Sequence, residues 1–257
     1  MKKKISISAS LIFLFLLSSC SHSYYLPNIH NVPLFKEKEE ARISLNSSGG
    51  NTISAFELQS AYAITNHIGV MLNYMSAKGG SESPGSNFGK GNYYETAVGY
   101  YKPINKQFVF EIYGGGGISS QHHQYINTYI GGNSYTGTSD LSFTKLFIQP
   151  AIGLTTKAID IALSARLSNL SFYNINNQIN TGSSYYNDVA QIANNKSSML
   201  FEPALTIRAG WKNIKLQLQI QSSNNWSNPN LQFENSNASI GLWFAFSTKQ
   251  KAEIKKN

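Results

Sequence analysis

The sequence predicts an all-β protein: a closed, antiparallel, up-and-down β-barrel that crosses a bilayer with about ten strands. Three observations carry that expectation. Apolar residues recur at every second position in segment after segment. Short and long connections alternate along the chain. Ten charged residues within the periodic segments, five acids and five bases, share one face. An eight-stranded barrel, with two hairpins folded into its loops, is the alternative.

The period is plainest in "IKLQLQIQSS", residues 214–223, where Ile214, Leu216, Leu218 and Ile220 alternate with Lys215, Gln217, Gln219 and Gln221. Side chains of a strand point alternately to opposite faces, so such a segment has one apolar and one wet side. The same pattern marks candidate strands at 40–47, 53–64, 68–77, 91–102, 107–118, 141–155, 158–171, 198–211, 214–223 and 237–247. Helical spacing fits none of them beyond two turns. Most run 10 to 14 residues, long for a soluble strand but suited to crossing a bilayer at a tilt of about 45°.

The connections sort into two kinds. "TNH", "PINK", "KA" and "KN" join strands 2–3, 4–5, 6–7 and 8–9, whereas stretches such as "SSQHHQYINTYIGGNSYTGTSD" and "YNINNQINTGSSYYNDVAQIANNKSS" separate the others. The first hairpin, around "SSGGN", is short on the long-loop side. One end of the sheet is therefore trimmed and the other elaborated. Membrane barrels show this asymmetry, with short turns in the periplasm and long loops outside.

The facing of the strands follows from charge. With the apolar face turned to lipid, the interior receives Glu57, Glu95, Glu111, Asp160 and Glu202 together with Arg42, Lys145, Arg166, Arg208 and Lys215. Five acids and five bases can pair, and an unpaired buried charge would cost several kcal/mol. With the apolar face inward, the chain would be a soluble calyx and these charges an ordinary wet surface. The outward facing is preferred, because a calyx would have to bury a long apolar face on every strand.

The N-terminus points to export. Lys2, Lys3 and Lys4 precede the uncharged run Ile5 to Leu17, and Leu17-Ser18-Ser19-Cys20 follows. Charged, apolar, then small residues is the layout of a signal peptide, too short to span a bilayer. The last four residues resemble a bacterial lipobox, in which the cysteine is acylated. Cys20 is the sole cysteine of the chain, so no internal disulfide framework competes for it. The expected organisation is a lipoprotein signal peptide at 1–19, a periplasmic spacer at 20–39, the barrel at 40–247 and a cationic tail at 248–257. Without residues 1–19 the net charge falls from +8 to +5. Much of it lies in the tail, so nucleic acid is not an expected partner. Nowhere later do about 18 apolar residues run consecutively, so no transmembrane helix is expected.

Ser239-Ile240-Gly241-Leu242-Trp243-Phe244-Ala245-Phe246 resembles the pattern by which bacterial outer-membrane barrels are recognised for insertion: polar Ser239, Gly241 two later, then Phe244 and Phe246 at the last alternate positions. It falls on the last candidate strand, although "STKQKAEIKKN" follows where such proteins often end. Along most of its length the chain resembles small bacterial outer-membrane β-barrel proteins. That resemblance implies outer-membrane lipid and the barrel-insertion machinery as partners, while the lipobox resemblance implies a lipid anchor at Cys20. An even strand count would put both termini in the periplasm.

Chemistry is sparse. "GGGG" at 114–117 lacks the Lys-Ser/Thr of a phosphate loop, and glycines in a strand mark a bend or a crowded interior. His122 and His123 have no carboxylate or cysteine at ligand spacing, so they read as solvated loop residues and no metal site is expected. Outer-membrane proteases exist among ten-stranded barrels, but the acids of these loops, Glu82, Asp140, Asp188 and Glu234, are scattered one per loop. No enzyme and no cofactor are expected. The loops do hold Tyr125, Tyr129, Tyr135, Tyr173, Tyr185, Tyr186 and Trp226 in Ser/Asn/Gly-rich sequence, a composition suited to an extracellular ligand or surface partner. The function expected is a structural or surface-interaction role. A narrow pore for small solutes is the alternative, since barrels of eight strands are filled and ten leave at most a constricted path.

Overall fold

In the computed structural model residues 22–81, 86–129 and 132–247 are described, the side chains of residues 127–135 excepted. Residues 1–19, expected as a signal peptide, Cys20 and the expected cationic tail 248–257 lie outside the described residues. The wall consists of β1 (Glu40–Gly49), β2 (Ile53–Ala63), β3 (Ile68–Gly80), β4 (Phe88–Pro103), β5 (Phe108–Tyr129), β6 (Gly132–Thr155), β7 (Ile159–Ile179), β8 (Ser197–Gly210), β9 (Ile214–Ser222) and β11 (Ser236–Ser247). A two-residue bridge, β10 (Asn224–Asn225), lies on β8. Each strand pairs antiparallel with its neighbours in sequence, and β11 pairs with β1 from Glu40↔Ser247 to Gly49↔Ala238. The sheet thus closes as an up-and-down barrel of ten long strands.

The period-two pattern decides which side faces out. On β9 the outer residues Ile214, Leu216, Leu218 and Ile220 are 46%, 47%, 46% and 60% exposed, while Lys215, Gln217, Gln219 and Gln221 are 5% exposed or less. Every wall strand contributes to the outer apolar band, as Leu72 on β3, Val98 on β4, Leu146 on β6 and Leu163 on β7 illustrate. A continuous band of this kind is far larger than the apolar patches water tolerates. It fits a wall that meets hydrocarbon, with a polar interior.

Strands β5, β6 and β7 run well past their expected ends. Residues 119–129 and 132–140 are not open loop: β5 and β6 continue paired through His122↔Asp140 and Gln124↔Thr138 to Tyr129↔Gly132. Beyond the apolar band the outer face meets polar surroundings, while the inner face still buries His123 and Tyr125. The ladder therefore persists while the apolar alternation that would reveal it stops. Residues 173–198 likewise begin as strand, through Ile179, and then form a helix, α1 (Ser184–Asn194), with Val189 and Ile192 buried. In the "GGGG" run, glycine is required by crowding: a Cβ on Gly117 would sit 2.5 Å from the Tyr93 ring.

The largest departure from expectation lies before β1. Residues 23–35, expected as part of a periplasmic spacer, are buried inside the barrel. Lys36, at the short-turn end, donates from Nζ to the carbonyls of Lys106 and Thr155, and the Phe35 ring lies beside Gly69. At the other end the Tyr24 amide donates to the Gln232 carbonyl, and the Glu234 amide donates to the Tyr25 carbonyl. His22 and Ser247 therefore lie at opposite ends of the barrel. Glu40 and Ser247 share one end, as an even strand count requires, but counting strands omits a segment that runs back through the lumen before the first strand.

Candidate functional site

The segment His22–Phe35 stays extended for local and tertiary reasons. Pro27 and Pro33 fix their own φ, bias Leu26 and Val32 away from helix, and carry no N–H that a buried position would have to satisfy. Much of the remaining backbone is met by side chains of the wall. The amides of Ile29 and Leu34 donate to the Glu57 and Glu111 carboxylates, both at 3.0 Å. The His30 amide donates to Gln219 Oε1 at 2.7 Å, and Gln219 Nε2 returns a bond to the His30 carbonyl at 2.9 Å. Gln59, Gln149, Arg208, Arg42 and Asn237 donate to the carbonyls of Ile29, Asn31, Val32, Pro33 and Pro27.

Asn28 sits at the centre of the polar interior. Its side-chain oxygen accepts from Lys145 Nζ at 2.6 Å and Arg166 Nη1 at 3.0 Å, and its Nδ2 donates to Glu95 at 3.3 Å. Around it Arg166 pairs with Glu95 at 3.1 Å, and Lys145 lies 3.8 Å from Glu202. Nearer the turn end Lys215 pairs with Asp160 at 2.6 Å, while Arg42 meets Glu40 at 2.9 Å. All ten charged side chains named for the interior (Arg42, Glu57, Glu95, Glu111, Lys145, Asp160, Arg166, Glu202, Arg208 and Lys215) are 8% exposed or less. Glu57 and Glu111 meet backbone amides of the segment instead of a wall cation. That part of the balance depends on the segment being present.

Apolar side chains lock the two ends. Phe35 packs with Tyr101, Tyr113, Met71 and Phe147 near the turns. Tyr24, Tyr25 and Leu26 join Tyr125, Phe143, Phe172, Val189 and Ile192 near the loops. Leu34 carries a positive φ of 51°, a conformation that costs a branched residue of order 1–3 kcal/mol. It is held there by its bond to Glu111 and by packing with Val32, Val109, Ala151 and Ala162.

The long-loop end is a built rim. Glu234 accepts from the amides of Asn51 and Thr52 and from the Thr52 hydroxyl, tying the first hairpin to the last long connection. Burial raises the Asp188 carboxyl on α1 above its ordinary value. Between segment and wall lies a cavity of about 340 Å³ whose lining includes His22, Leu26, Ile53, Met75, His123 and Phe143.

The two neighbouring histidines part company. His123, expected in solvent, is buried and lies 2.7 Å from His22, ring nitrogen to ring nitrogen. His122 faces out and meets Asp140 at 2.7 Å. Strand alternation within the hairpin, invisible as apolar period, sends the pair to opposite faces. No cluster of three metal-ligating side chains exists among the described residues. Tyr125 is likewise interior, whereas Tyr173 and Trp226 are 62% exposed and Tyr185 and Tyr186 are half-buried; the side chains of Tyr129 and Tyr135 lie outside the described residues, as does Glu82. Of the proposed insertion pattern, Ser239 faces the lumen, Gly241 abuts the Asn46 side chain, and Phe246 faces outward at 52% exposure; Phe244 is half-buried.

No protein-family model and no curated protein matches the chain. Among solved structures it is similar to the N-terminal β-barrel domain of Pseudomonas aeruginosa OprF, at 10% identity over 82% of this chain and 99% of that one, with a TM-score of 0.34. Ail, the attachment invasion locus protein of Yersinia pestis, gives 12% identity over 81% and 99%, with a TM-score of 0.36. The translocator domain of the autotransporter NalP from Neisseria meningitidis gives 7% over 80% and 88%, with a TM-score of 0.48. At these values the likenesses carry no functional argument; what the chain's own geometry establishes is a closed ten-stranded barrel occupied by its N-terminal segment.

Proposed function

We propose that this chain is a bacterial outer-membrane barrel, anchored in addition by a lipid on Cys20, that is closed by its own N-terminal segment and works through the surface of its long-loop end. The observation that carries the reading is the occupied lumen. An apolar outer band supports a place in lipid, and a segment hydrogen-bonded along its length to the inner wall supports a barrel that does not conduct. A lumen meant for solutes would leave interior polar groups to water. Here Glu57, Glu111, Gln59, Gln149 and Gln219 are committed to the segment's backbone. The interaction surface is the rim with Tyr173, Tyr185, Tyr186 and Trp226, and its chemistry suits a surface partner. The reading assigns no catalysis.

Planar-bilayer recording on the full chain tests it. Silence at all voltages is expected. A steady open-channel current from the intact protein would replace this reading with the narrow pore.

A further inference from the structure

We infer that the barrel carries its own N-terminus across the membrane: whatever precedes His22, including Cys20 and its lipid, lies on the long-loop side, opposite the short turns and the end of β11. The inference rests on the acylation and outer-membrane reading proposed above, and its direction comes from the path of residues 22–36. Lys36 is fixed at the short-turn end by Lys106 and Thr155. Ser23 is fixed at the opposite end, where the Thr52 hydroxyl lies 3.3 Å from its own.

Reach makes the two possible anchor positions exclusive. Cys20 is two residues from His22, a span of at most about 7 Å. The apolar band of a membrane barrel is about 25 Å tall. A lipid in the leaflet beside the short turns would therefore require residues 22–35 to leave the lumen, uncovering Glu57 and Glu111 and the aromatic clusters at both ends. A lipid in the leaflet beside the long loops requires no rearrangement. Enclosing the segment needs no pulling through a finished pore either. An up-and-down barrel closes at one seam, here β1 with β11, so a segment laid along the open sheet is surrounded when that seam zips.

The test uses the full chain with an epitope tag at its C-terminus and a site-specific protease sequence inserted between Ser21 and His22. Cells are labelled with radioactive palmitate, and protease is added to intact cells. The expected result is that most of the label separates from the barrel band, while the terminal tag stays unstained until the envelope is opened. Separation only after opening would overturn the inference and leave the acylated barrel standing. Label and tag both reachable from outside would overturn it as well, since the ends would share a side. A band without label would overturn the acylation, and cutting of that band on intact cells would still support the threading. If the insertion blocks assembly, the pair Ser23→Cys with Thr52→Cys should form a disulfide. The pair Ser23→Cys with Thr156→Cys, at the far end, should not; the reverse outcome overturns the path.

Discussion

Strand β9 and the segment His22–Phe35 are bonded to each other through Gln219 and His30, yet they hold their shapes for opposite reasons. The strand is specified by its own alternation: the outer face meets an apolar surround, the inner face a polar one, and slipping by one residue would invert both. The segment has no alternation to specify it. Ordering its backbone costs about 1–2 kcal/mol per residue, and the offset comes from wall side chains that accept its amides, donate to its carbonyls and bury Tyr24, Tyr25, Leu26, Ile29, Val32, Leu34 and Phe35. One region is written in its own sequence. The other is written in the residues that surround it.

The largest expected effect comes from an arginine of β7 that joins the wall to the segment. Arg166→Ala removes the partner of Glu95 and one donor to Asn28, leaving a buried carboxylate short of its cation. A broken buried pair costs about 3–5 kcal/mol, so the urea midpoint of the purified barrel should fall steeply. Adding Glu95→Gln to that variant should recover part of the loss; no recovery would mean that the pair is not a unit.

The next effect separates wall from segment. Leu218→Arg places a cation on the outer band of β9, at about 2–4 kcal/mol near the midplane, and should reduce the fraction of chain that reaches the folded, heat-modifiable form. Gln219→Ala, one residue on, removes the clamp on His30. It should cost about 1–3 kcal/mol for the amide and carbonyl left unpaired, and its signature is different: assembly stays high while the segment becomes open to protease. Equal effects of both substitutions on assembly would contradict the division between wall and segment. Smallest of all is His122→Ala. The His122–Asp140 pair is 44% and 47% exposed, so its loss should move stability by less than about 1 kcal/mol, readable as an unchanged urea midpoint.

The same contrast explains what could be seen in the sequence. The strand bodies, their facing and the side assigned to Glu95, Arg166 or Lys215 rest on alternation, which exists only where lipid lies on one side and the lumen on the other. Residues 119–129 pair with 132–140 above that contrast, so His123 and Tyr125 read as loop although both point inward. Helix α1 is short, uncapped by the side chain of Ser183, and buries chiefly Val189 and Ile192, too few for a clear helical stripe. The N-terminal segment left weaker signs. Tyr24, Tyr25, Leu26, Ile29, Val32, Leu34 and Phe35 are too many large apolar residues for a solvated spacer. The side-chain N–H donors of Gln59, Gln149 and Gln219 on inner faces ask for acceptors, which the segment's carbonyls supply. A segment whose backbone is satisfied by distant side chains shows no period of its own.

Amide hydrogen exchange of the intact barrel in detergent distinguishes an occupied lumen from an empty one. The amides of Ile29, His30 and Leu34 are bonded to Glu57, Gln219 and Glu111 in the interior, so they should exchange as slowly as the ladder amides of β9. Exchange of those three at the rates of a free peptide, with β9 still protected, would show that the segment does not occupy the lumen.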